Sequence, residues 1–136
     1  MQSIPYGTGD GRNAMGIPVA FCSAIGIDIS EVRRLIWVSG QLGTNERNEL
    51  VGVGDVRAQT EQCLLNIERN LHELGGSIDD VVQVTVFVKN MSDLAAIHEV
   101  RLRHFSKPYP TSTLVAVSGF VNPEALIEIN AVAAVR

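Results

Sequence analysis

Three side chains occupy positions at odds with their neighbours, and each is equipped for chemistry. Glu128 lies between Ile127 and Ile129 in the most apolar run of the chain. A carboxylate there is costly unless it is paired or lines a polar cavity, where it can hold a water molecule and accept its proton. The structural alternative is a buried partner for a backbone amide or an arginine. His98 and Arg101 stand three residues apart, one helical turn along the same side. At 100° per residue, His98 flanks a stripe made by Leu94, Ile97 and Phe105, and Arg101 falls within it. An imidazole can exchange a proton near neutral pH, and a guanidinium can clamp a carboxylate. Against these stand two ordinary readings, a satisfied helix-flank histidine and an arginine whose stem covers apolar surface while its head reaches water.

Other chemistries lack their signatures. Three histidines are present without a His-x-x-x-His pair or a neighbouring acidic ligand, so no metal site is expected. Gly52-Val-Gly54 precedes a helix but no Gly-Lys-Ser/Thr follows, which argues against a nucleotide. Ser39 sits in Ser-Gly-Gln rather than Gly-x-Ser-x-Gly, so a hydrolase nucleophile elbow is not indicated. Cys22 and Cys63 lie far apart and outside any Cys-x-x-Cys, which reads as two reduced thiols.

The elements that must position these residues belong to a single domain of 136 residues, 46% apolar and only 19% charged. A net charge of −4, no basic run and seven aromatics make nucleic acid a poor partner. No apolar run approaches the ~18 residues of a membrane span, and the amino terminus has neither a basic start nor an apolar stretch, so membrane is excluded and a cytoplasmic location expected. Residues 1–16, with four glycines and little periodicity, read as a flexible arm, and residues 17–136 as the domain.

Strands are expected over 19–26 and 35–41, joined as a hairpin by 28–34. A helix follows from Asp55, its N-cap, to Leu74, ended by Gly75-Gly76. Then come a strand over 81–88, a helix from a Ser92 cap to about Ser106, and strands over 113–118 and 126–135. The order β-β-α-β-α-β-β is an α+β plan whose two helices cover one face of a mixed sheet. The last strand has no solvated face: Ile127, Ile129, Ala131, Ala133 and Val135 back onto Leu126, Glu128, Asn130, Val132 and Ala134. An oligomer that buries the second sheet face is therefore expected, with a monomer carrying a modest apolar patch as the alternative.

Five segments in order, Val38-Ser-Gly-Gln41, the 55–74 helix with Gly75-Gly76, Ser77 to Val88, Met91 to His98, and Ala125 to Val132, resemble the reactive intermediate deaminase (Rid) superfamily. The resemblance runs from about residue 17 to the end. It implies a chorismate-mutase-like subunit and a homotrimer with three clefts between neighbours. It also implies hydrolysis of enamine or imine metabolites to a carbonyl product and ammonia, without a cofactor. The family glutamate that positions the attacking water matches Glu128, its Ser-Gly-Gln serine matches Ser39, and an aromatic near the first strand matches Phe21. The family asparagine on the second helix falls on His98. The arginine of Pro-x-Arg-Ser, which clamps the substrate carboxylate, is replaced by Ser112.

That clamp is worth ~2–4 kcal/mol in a dry cleft, and a hydroxyl does not replace it. The expected site therefore has Glu128 and His98 as catalytic groups and Ser39, Ser112, Phe21 and Arg101 as substrate-binding groups, with Arg101 as a substitute cation or a less anionic ligand in its place. The alternative is a non-catalytic, small-molecule-binding or regulatory trimer that lost deaminase activity with the arginine. An endoribonuclease activity has also been attached to the family, and the acidic balance of this chain fits it poorly.

Overall fold

The computed structural model describes residues 18–136 and the backbone of Ile4–Tyr6. The other residues of the arm expected over 1–16 lie outside the described residues. Four strands form a mixed sheet in the order β3-β6-β4-β5: β3 (Arg34–Leu42), β4 (Val81–Val88), β5 (Thr111–Ala116) and β6 (Ile127–Val135). β6 runs antiparallel to both β3 and β4, while β4 and β5 are parallel. Helices α1 (Val56–Glu73) and α2 (Leu94–His104) cover one face, as expected of an α+β plan.

Alternation along β6 decides which side chains meet the helices. Ile127, Ile129, Ala131, Ala133 and Val135 are buried with Val84, Val86 and Val88 of β4 and Ile36 and Val38 of β3. α1 lays Cys63, Leu64, Ile67 and Leu71 on this surface, and α2 adds Ile97 and Val100. Both ends of α1 are closed by local chemistry. The Asp55 carboxylate accepts the Ala58 N–H at 3.1 Å. At the other end Gly75 takes φ +82°, Gly76 N–H reaches Leu71 O at 2.8 Å and Gly75 N–H reaches His72 O at 3.1 Å, a Schellman closure that a β-carbon at Gly75 would strain. Both cysteines are buried and neither forms a disulfide.

Three expectations need correction. The strand expected over 19–26 shrinks to β2 (Ala24–Gly26), which pairs antiparallel with β1 (Ile4–Tyr6) instead of forming a hairpin with β3. Residues 18–22 cannot ladder with β3 because their polar groups are engaged elsewhere: Ala20 bonds to side chains of α2, and Cys22 N–H bonds to Pro110 O at 3.1 Å. Ser92 lies in a short 3-10 turn, Met91–Asp93, and makes no cap; α2 starts at Leu94. Finally, β5 begins at Thr111 rather than Thr113, which brings Ser112 into the sheet.

Candidate functional site

α2, β5 and the 18–22 segment enclose a pocket of about 270 Å³. Val19, Phe21, Met91, Leu94 and Leu114 form its apolar wall, and His98, Arg101 and Ser112 its polar groups. Helical spacing brings His98 and Arg101 together, as the sequence implied. Ser112 joins them through register: it pairs with Val84, whose own partner Ala131 is buried beneath the helices, so its side chain shares the helix-covered face.

His98 and Arg101 grip one peptide group between them. The Ala20 N–H donates to His98 Nδ1 at 3.4 Å, and Arg101 Nη2 donates to Ala20 O at 3.2 Å. The Phe21 ring stands 5.9 Å from the imidazole, tilted by 39°. Because Nδ1 is an acceptor here, the neutral ring carries its hydrogen on Nε2. His98 is only 4% exposed; burial first, and then the Arg101 cation, push it down to about 4. The expectation that His98 exchanges a proton near neutral pH is thereby corrected: it is a neutral imidazole that orients the 18–22 segment.

Arg101 does not reach water. It is 1% exposed, with burial lowering it to about 10, so it stays a cation at neutral pH. Its Nε and Nη1 have no hydrogen-bond partner among the described residues.

Glu128 and Ser39 occupy the opposite face. Glu128 pairs with Phe87 of β4, whose β5 partner is Val115, and with Leu42 of β3; it is half-buried on the face without helices. Neither it nor Ser39 lines the α2–β5 pocket. Between Val38 and Gln41, β3 carries one residue more than β6 does between Ala131 and Ile129, a bulge formed at Ser39-Gly40. The Glu128 carboxylate packs over this bulge: a β-carbon on Gly40 would stand 2.6 Å from its Oε2. Gly40 thus joins Ser39 and Glu128 in the candidate site; the Ser-Gly-Gln sequence contains it but does not show which side chain stands over it. The Glu128 carboxylate makes no hydrogen bond or ion pair among the described residues, so its oxygens are open to a ligand or water. No cluster of three or more His, Cys, Asp and Glu that could hold a metal ion occurs among the described residues, and none of their helices is long and apolar enough to cross a membrane.

The family model described as Endoribonuclease L-PSP matches residues 20–135. A 3-aminoacrylate deaminase RutC of Acinetobacter baylyi is 38% identical over 107 residues, 79% of this chain and 84% of the relative. A 2-iminobutanoate/2-iminopropanoate deaminase of Dermatophagoides farinae is 29% identical over 106 residues, 78% of this chain and 82% of its own. Among solved structures, YyfB of Yersinia pestis, a protein of unknown function of the conserved Rid protein family, superposes with a TM-score of 0.83 at 28% identity, covering 99% of this chain and 100% of that one.

Proposed function

Because this chain belongs to the endoribonuclease L-PSP family, within the Rid superfamily, we propose that it is a cofactor-free deaminase that hydrolyses small enamine or imine metabolites. The observation that carries this reading is the placement of Glu128, a carboxylate over a glycine bulge, with no side-chain partner among the described residues and beside the apolar Phe87. Such a group can take a proton from water while the oxygen adds to the imine carbon, giving a carbinolamine. That proton passes to the imine nitrogen to complete the carbinolamine, and the carboxylate then takes the hydroxyl proton and delivers it to the departing nitrogen, leaving a carbonyl and ammonia. An enamine enters the same sequence after it tautomerises to the imine, its carbon gaining a proton as its nitrogen loses one.

The remaining groups divide between two faces of the sheet. Ser39 and Gly40 accompany Glu128 on the open face, whereas Phe21, Arg101 and Ser112 line the helix-side pocket at the β5 edge. One copy does not bring these faces into one cleft. A homotrimer in which the open face of one copy meets the β5 edge of the next would do so, and exposed Trp37, Leu35 and Val115 on that face supply an apolar contact. Both deaminase relatives are named for carboxylate-bearing substrates, and this site takes the same class in our reading.

The test is ammonia release from freshly generated 2-aminoacrylate and 3-aminoacrylate. The purified protein should exceed the buffer rate for at least one of them, and Glu128→Gln should lower that rate by roughly 100-fold or more, the size expected for loss of a general base. Turnover no faster than buffer would leave the non-catalytic binding trimer, to which the serine at position 112 already points.

A further inference from the structure

A cation buried among its own chain's residues needs an anion, and Arg101 has none inside the described chain. No Asp or Glu pairs with it there, and the ion pairs present join Arg57 to Glu99, Arg69 to Glu46 and His104 to Glu61. Of its five N–H bonds, the one on Nε and the two on Nη1 meet no acceptor among the described residues. Nη2 is anchored by Ala20 O, so the planar fork is already held against the pocket wall and loses little freedom when a ligand arrives. Neighbouring groups suit an anion as well. His98 is neutral with its hydrogen on Nε2, and Ser112 brings a hydroxyl from β5. Beyond these, the walls are apolar: Phe21, Leu94 and Leu114.

We propose that Arg101 is the carboxylate anchor of this protein, binding a small monocarboxylate between α2 and β5 with its short apolar part against Leu94, Leu114 and Phe21. The anchor then reaches the pocket from a helix, and Ser112 on the strand contributes a hydroxyl in place of a second fork. The inference deepens the proposed function, on which the choice of a carboxylate substrate rests, but binding at Arg101 does not depend on turnover. A dianion fits less well, because Arg101 is the one cation lining this pocket among the described residues.

Calorimetric titration of the full chain with butyrate and with butyramide, its neutral isostere, reads this directly. Butyrate should bind and butyramide should not. Arg101→Met, which keeps volume and removes the charge, should weaken butyrate by roughly tenfold or more, the size expected for a charge-assisted pair. Should the methionine variant not fold, Arg101→Lys serves instead: it keeps the charge, loses the planar fork, and should weaken binding several-fold. Equal binding of acid and amide, or butyrate affinity unchanged in either variant, overturns the proposal. Glu128→Gln separates the two readings, since it should lower deamination by roughly 100-fold or more while butyrate still binds at least as tightly. Butyrate binding lost with Arg101, in a protein that releases no ammonia, would keep the anchor and refute the deaminase.

Discussion

At His98, the lone pair of Nδ1 is taken by the Ala20 amide and the ring is held at about 4 by burial and by Arg101, so this histidine titrates well below neutrality. Between about pH 6.5 and about 4 the unfolded chain binds a proton here and the folded chain does not. Stability is therefore undiminished above that window and falls as pH drops through it. Because the pocket admits some solvent, the loss is on the order of 2 kcal/mol rather than the full shift. Urea denaturation at pH 7 and pH 4.5 measures it. In His98→Asn, whose side-chain oxygen can accept the same N–H, the dependence should flatten; an unchanged slope would locate the acid sensitivity elsewhere. On the opposite face of the sheet, Gly40 controls where the Glu128 carboxylate stands. Gly40→Ala places a methyl against the flexible end of Glu128, so the carboxylate moves and the fold stays. Deamination should drop at least tenfold with the urea midpoint nearly unchanged, a change of about 1.4 kcal/mol in the barrier.

Among the elements, α1 was the most legible, because a cap, an apolar stripe and a glycine closure agree. Asp55→Ala removes the acceptor for Ala58 N–H and should cost about 1 kcal/mol, read as a lower melting temperature. Strands β3, β4 and β6 were equally plain, since their alternation survives in the buried face. The 19–26 segment misled for a physical reason: Val19, Ala20 and Cys22 are buried like strand residues, but Ala20 bonds to side chains of α2 about eighty positions away. No local pattern carries that information. Of the site, the meeting of His98 and Arg101 was readable from a 3.6-residue period. The role of Gly40 was not, because a glycine reveals nothing about which side chain stands over it. Nor was the separation of Ser112 from Glu128 onto opposite faces, which follows from the parallel pairing of β5 with β4, a contact between distant segments.

For the whole molecule, the face opposite the helices sets the problem. Trp37 is 69% exposed there, with Leu35 and Val115 also open, in a chain only 19% charged. If three copies cover this face, Trp37→Asp should shift the sedimentation mass from three chains toward one while leaving the helical circular dichroism intact. An unchanged mass would mean that Trp37 lies outside the contact. In the proposed trimer a working site joins Glu128 of one copy to the Arg101 pocket of the next. Co-assembly of Glu128→Gln chains with Arg101→Met chains tests it, because each variant is impaired in a different half. In a ring of three, mixed at equal amounts, about a quarter of the clefts then contain both native halves. Ammonia release from aminoacrylate should recover to about that share of the native rate; mixed assemblies no more active than the separate variants would contradict the claim.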